Sequence, residues 1–151
     1  MDLDYVAEYD KLKTKVLKYI VYKKRTEKEI RQKFEPTIEE EILDDIIEEL
    51  KENGYIDDNN YIKRAVQEFI ALKNMSIKEI KYKLFSKGLS HDIIDEYISN
   101  HIDDLIDYEI RSVKNIYYKK QLSMEIEEIK QFLLKKGYAT ESIKEALSEV
   151  E

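Results

Sequence analysis

The stretch Ile77-Lys78-Glu79-Ile80-Lys81-Tyr82-Lys83-Leu84-Phe85-Ser86-Lys87-Gly88 returns 49 residues later as Ile126-Glu127-Glu128-Ile129-Lys130-Gln131-Phe132-Leu133-Leu134-Lys135-Lys136-Gly137. Thr26 to Phe34 fits the same frame 50 residues before, with Glu29-Ile30 set against Glu79-Ile80. A recurring period of this length is the mark of a tandem array, in which a unit too small to bury its own apolar face shares a core with its neighbours. The chain of 151 residues then divides into units at 1–58, 59–104 and 105–151 within one continuous structure.

Each unit reads as three helices. In the first, Tyr9, Leu12, Val16, Tyr19 and Ile20 recur at steps of three and four, as do Ile38, Ile42, Leu43, Ile46, Ile47 and Leu50. Between them Thr26-Glu27-Lys28-Glu29 has the form of a capping box and opens a short helix carrying Ile30 and Phe34. Pro36 ends it, and Thr37-Ile38-Glu39-Glu40 supplies a second box. The middle unit repeats the plan with Ala65, Val66, Phe69 and Ile70, a box at Ser76-Ile77-Lys78-Glu79, and Ile93, Ile94, Tyr97 and Ile98. In the last unit Val113, Ile116 and Tyr117, then Ile129 and Leu133, then Ile143, Ala146, Leu147 and Val150 continue it, although Ser123 has no glutamate three residues on. Only three glycines and one proline interrupt the chain, so an all-α fold is expected, built as three tandem three-helix repeats in an elongated, curved array.

The sharpest break is Asn53-Gly54-Tyr55-Ile56-Asp57-Asp58-Asn59-Asn60-Tyr61. Gly54 stands where a helix must stop, because a left-handed residue there costs glycine little. Asp57 or Asp58 can cap the next helix, and Ile56 can pack on Tyr61 as a staple. Gly54, Asp57 and Asp58 therefore form the structural junction between the first two units.

Charge follows the repeat. Net charges are +4 for residues 1–34, −10 for 35–60, +5 for 61–90, −7 for 91–110, +4 for 111–136 and −3 for 137–151. In each unit the first two helices are basic and the third acidic. Taken one at a time, such runs are solvated faces balanced by neighbours of opposite sign. Recurring three times, they suggest a basic stripe on one side and an acidic stripe on the other.

Residues that carry chemistry are sparse. The glycines are too far apart for a phosphate loop, and no nucleophile, base and acid set or metal-ligand spacing occurs, so no catalytic residue, cofactor or metal is expected. His91 and His101 fall at helix ends, where capping or solvent exposure is the expected role. The glutamates of residues 39–52 lie opposite Ile42, Ile46 and Leu50 and read as solvated. Of the twelve tyrosines, Tyr9, Tyr19, Tyr61, Tyr97 and Tyr117 sit at core spacing, whereas Tyr82, between Lys81 and Lys83, is off that face and free to stack on a base or a partner side chain. Cysteine is absent, no apolar run is long enough for a membrane span, and the start Met1-Asp2-Leu3-Asp4 is no signal peptide; a cytoplasmic protein is the expectation.

Three stretches resemble the RecX family of regulatory proteins. Arg25-Thr26-Glu27-Lys28-Glu29-Ile30 is similar to that family's basic-Ser-x-x-Glu-Leu helix start, Asn53 to Tyr61 to its Gly-Tyr-Leu-Asp-Asp corner, and Ile77 to Gly88 to its Ile-x-x-x-Leu-x-x-Lys-Gly segment. The resemblance implies a non-enzymatic regulator that binds the RecA filament on single-stranded DNA in recombination, DNA repair and the SOS response, and lowers or tunes the filament's recombinase, ATPase and coprotease activity. A monomer is expected, with at most weak contact to single-stranded DNA, because the chain has a net charge of −7 and phosphate contacts supply most nucleic-acid affinity. The middle unit combines the highest positive density with the family-like motif, so Lys63, Arg64, Lys73, Lys78, Lys81, Tyr82, Lys83 and Lys87 form the expected partner-binding patch. A sequence-independent nucleic-acid-binding protein and a scaffold for another protein are the alternatives.

Overall fold

A computed structural model describes residues 3–150, and among them every regular element is a helix. The helices are α1 (Leu3–Tyr22), α2 (Glu27–Phe34), α3 (Glu40–Glu52), α4 (Asp58–Leu72), α5 (Ile77–Ser86), α6 (His91–Asn100), α7 (Ile102–Lys120), α8 (Ile126–Lys136) and α9 (Thr140–Glu149). None is long and apolar enough to cross a membrane. The all-α expectation holds, and helices fall in the expected order of long, short and closing.

Two compact units are present. Among the described residues, the first comprises those up to 61 with 87–89, and the second 62–86 with those from 90 onward. In the first, α1, α2 and α3 pack on one another around Val16, Ile20, Ile30, Leu43, Ile46 and Leu50, all essentially without solvent contact. In the second, α7 packs most extensively against α9, and Val113, Ile129, Leu133, Ile143 and Ala146 fill the space between them and α8. These are the positions that helical periodicity selects.

Helix ends account for most of the remaining specificity. The capping box at Thr26 forms in full, with the Glu29 amide donating to Thr26 Oγ1 and the Thr26 amide donating to Glu29 Oε1. Ser76 and Glu79 exchange the same pair of bonds, each 3.0 Å long. The box read at Thr37 does not form. The chain after α2 turns tightly, Thr37 Oγ1 points back to the Phe34 carbonyl, and α3 opens only at Glu40, with Glu39 as its cap residue and no side-chain cap bond. Likewise α8 starts from Glu125 rather than Ser123, again without a side-chain cap. At the Asn53 corner Gly54 has φ +80°, its amide donates to the Lys51 carbonyl, and the Tyr55 amide reaches the Leu50 carbonyl, the Schellman pattern that satisfies the last turn of α3.

The two aspartates of that corner divide their work. Asp57 caps α4 by accepting from the Asn60 amide at 3.0 Å. Asp58 accepts from the Glu27 amide at 3.1 Å and so caps the first turn of α2 from 31 residues away. Beside it, Thr26 Oγ1 donates to the Lys87 carbonyl at 2.6 Å, and a Cβ on Gly88 would stand 2.7 Å from Lys28 Cβ. The second unit repeats this joint. Glu109 accepts from the Ile77 amide at 2.7 Å, Ser76 Oγ donates to the Lys136 carbonyl at 2.8 Å, and a Cβ on Gly137 would stand 3.0 Å from Lys78 Cβ. Glu109, only 1% exposed, also accepts from the Ala139 amide at 2.9 Å. Next to it, the buried Tyr108 hydroxyl donates to the Lys73 carbonyl and accepts from the Met75 amide, closing the end of α4.

The tyrosines and charges differ from expectation in informative ways. Tyr9, Tyr19 and Tyr117 are partly buried and pack against the cores as expected, Tyr61 and Tyr97 are only partly buried, and the fully buried tyrosines are Tyr108 and Tyr138. The acidic face of α3 is not simply solvated: Glu49 binds Tyr9 and Lys13, and Asp44 binds Arg31 at 2.6 Å. The hydrogen bond from Tyr9 and the one from Lys13 hold the Glu49 carboxyl below its ordinary range. Burial pushes Glu27 up, but Lys51 and Arg31 more than offset it and leave it low. In the first unit, then, basic and acidic helices spend much of their charge on each other.

Candidate partner-binding surface

Helix α5 places the surface. Its capping box sets where it starts, Ile80 and Leu84 are buried one turn apart, and the residues between them must face outward. Lys78, Lys81, Tyr82 and Lys83 are accordingly exposed, with Tyr82 75% open to solvent. Five of the eight residues singled out by sequence stand on or beside this helix, and the structure sorts them by flank.

On one flank Lys73, Lys78, Tyr82 and Lys83 line a groove of about 740 Å³ together with Lys135 and Lys136 at the end of α8. Five lysines face a single carboxylate there, Glu79, which already accepts from the Ser76 amide and lies 3.8 Å from Lys136 Nζ. On the other flank Lys81 and Tyr82 border Phe85 and His91, whose rings stack with centroids 4.4 Å apart. Tyr82 therefore belongs to both flanks. Lys63 and Arg64 are exposed on α4 but do not line either groove. Lys87 lies in the first unit, where its carbonyl serves the joint at Thr26.

Lys135 and Lys136 are not among the residues that the sequence singles out. Their signal was present, since they occupy the repeat positions of Ser86 and Lys87, but only the fold shows that the Ser76 to Lys136 bond brings the end of α8 to the start of α5. The groove's chemistry is that of ammonium groups on flexible stems, suited to carboxylates or phosphates and to shallow, salt-sensitive contact. The two histidines serve aromatic contacts. His91 stacks on Phe85, and His101 stacks on Tyr97 with Nδ1 2.8 Å from the Tyr97 carbonyl oxygen. Among the described residues no group of three or more His, Asp or Glu side chains is arranged to hold a metal ion.

The all-helical architecture of the described residues, with its capped joints and lysine-lined groove, defines the chain first as a protein of one particular fold. The crystal structure of RecX from Lactobacillus salivarius has that fold, with a TM-score of 0.80 at 25% identity over 95% of this chain and 97% of that one. A second crystal structure, of a regulatory protein RecX, superposes with a TM-score of 0.80 at 21% identity over 98% of this chain and 80% of that one. No family model matches the sequence. Among curated proteins, the regulatory protein RecX of Clostridium acetobutylicum is 32% identical over 99% of this chain and 76% of its own length. That of Finegoldia magna is 33% identical over 85% of this chain and 66% of its own length, and that of Staphylococcus carnosus 29% identical over 89% and 52%. The chain belongs to the RecX family of regulatory proteins.

Proposed function

We propose that the chain is a non-enzymatic regulator that binds the RecA filament on single-stranded DNA and lowers its strand exchange, ATP hydrolysis and coprotease activity. Family membership supports the choice of RecA. The observation that carries the choice of surface is the groove in which Lys73, Lys78, Lys83, Lys135 and Lys136 converge on a chain whose net charge is −7. Recurrence of the joint chemistry at Thr26 and Ser76 supports reading residues 1–58, 59–104 and 105–151 as successive repeats. The protein acts as a monomer in the cytoplasm, and the filament's protein surface supplies most of the contact.

Titrating the protein into RecA-driven ATP hydrolysis or strand exchange tests the proposal, with dose-dependent loss of rate expected. No change at saturation would end it. Reversing Lys78, Lys83 and Lys136 together to glutamate should weaken filament binding by about tenfold or more while circular dichroism stays unchanged. The exposed Tyr82 and the stacked Phe85 and His91 favour a second reading, sequence-independent binding of single-stranded nucleic acid. A steep loss of binding to bare oligothymidylate with rising salt, independent of RecA, would favour that reading.

A further inference from the structure

The lysine groove does not end at α8. A second groove, about 730 Å³, opens among α5, α7, α8 and α9, and Lys78 and Gly137 line both. Its floor carries Ile102, Ile106 and Ile110, one turn apart along α7, with Leu134 opposite on α8. Ile102, Ile106 and Leu134 are each about two-fifths or more exposed, so this is a contiguous apolar strip and not a scatter of single residues. Eight residues of helix span roughly 12 Å, enough to seat about two turns of a partner helix or a short extended segment. Glu141 and Glu145 also line this second groove. The passage between the grooves crosses Gly137, which has no side chain, and the methylene stem of Lys78 beside it.

We propose that the two grooves form one docking track for a protein segment, with the segment's carboxylates among the lysines and its branched or aromatic side chains over Ile102, Ile106 and Leu134. Charge decides between classes of occupant. A nucleic-acid strand could satisfy the lysines, but continuing across Gly137 it would bring phosphates toward Glu141 and Glu145 and leave the isoleucines with no apolar cover. A peptide segment satisfies both halves, and a basic residue on the part seated in the second groove would meet its two glutamates. The chemistry also accounts for how an acidic protein can hold an acidic partner: charge supplies orientation and encounter rate, and the buried apolar anchors supply residence time. This deepens the filament proposal and rests on it only for the identity of the partner.

The test uses a fluorescein-labelled peptide bearing a run of glutamates followed by two leucines one helical turn apart, with binding read by fluorescence anisotropy. Comparison peptides carry serines for the leucines or lysines for the glutamates, and oligothymidylate serves as competitor. Ile106→Glu and Leu134→Ser alter only exposed side chains, so both variants should fold as the parent does. The expected result is saturable binding by the parent, loss of about tenfold or more in affinity for Ile106→Glu and for the serine peptide, and no displacement by oligothymidylate. Equal affinity of parent and Ile106→Glu would overturn the track. So would displacement by oligothymidylate together with undiminished binding of the serine peptide, which would assign the surface to nucleic acid. If the peptide binds through both grooves while RecA-driven ATP hydrolysis is unaffected, the track stands and the filament reading falls. If parent and Ile106→Glu slow hydrolysis equally and no peptide binds, the track falls and the filament reading stands.

Discussion

The joints at Thr26 and Ser76 use one plan with two different acids, and the difference lies in a single methylene. Asp58 reaches one helix start, at Glu27, and remains partly exposed. Glu109 is longer and is fully buried, and its two oxygens satisfy the amides of Ile77 and Ala139, at the starts of α5 and α9. An aspartate in this geometry is a local cap supplied from a distance. A glutamate becomes a clamp on which three helices depend, α5, α7 and α9. Orphan amides at a helix start must be satisfied by something, and the cost of failing rises with burial.

Breaking the clamp should therefore have the largest effect. Glu109→Ala strips acceptors from two amides at once, and urea denaturation should show a loss of roughly 3 to 5 kcal/mol. Asp58→Ala removes one partly exposed acceptor and should cost about 1 kcal/mol. Equal losses would mean that the second bond of Glu109 contributes nothing.

The glycines beside the joints come next. A methyl group on Gly88, at φ +96°, would meet Lys28 Cβ at 2.7 Å, and one on Gly137, at φ +94°, would meet Lys78 Cβ at 3.0 Å. At Gly88 this adds a steric clash to the strain of a left-handed backbone, and at Gly137 a tight contact that Lys78 must yield to. Gly88→Ala should cost roughly 2 to 3 kcal/mol and Gly137→Ala somewhat less, as ranked by melting temperature. The reverse order would show that the first joint yields more easily than the second.

A smaller, pH-dependent effect sharpens the contrast further. Burial raises the Asp58 carboxyl above its ordinary value, and its bond from the Glu27 amide only partly offsets this. Because the folded-state value lies above the unfolded one, ionisation of Asp58 favours the unfolded chain. That cost is absent well below the ordinary carboxylate range and complete once pH has risen through the raised value. Asp58→Asn keeps an acceptor for the Glu27 amide without the charge. It should match or exceed the parent in stability at neutral pH, and its advantage should fade as pH falls through the carboxylate range. A constant difference between the two proteins from acid to neutral pH would remove this account.

What could be read in advance follows the range of the interaction. Helical periodicity selects Val16, Ile46, Val66 and Ile129 for the core, and the boxes at Thr26 and Ser76 form as written, because each depends on residues within four positions of one another. Thr37 failed as a cap because a competing local bond, to the Phe34 carbonyl, suited the turn that Pro36 sits in. Local pattern offers Asp57 or Asp58 as the cap of α4 and does not single out Glu109, because the partners of Asp58 and Glu109 lie 30 or more residues away. Tyr108 owes its place to bonds of the same long range, to Lys73 and Met75. The lysine groove was half legible: the middle-unit lysines are local to α5, whereas Lys135 and Lys136 arrive only through the joint.

Gly54 stands apart from the other two glycines in that a Cβ added there would meet nothing within 4 Å. Its constraint is one of chirality alone. An L-alanine at φ +80° should cost about 1 kcal/mol, but a D-alanine introduced by chemical ligation would adopt that angle at ease and restrict the unfolded chain as well. The corner between α3 and α4 is thus a position where a mirror-image residue should make the protein more stable than the natural one.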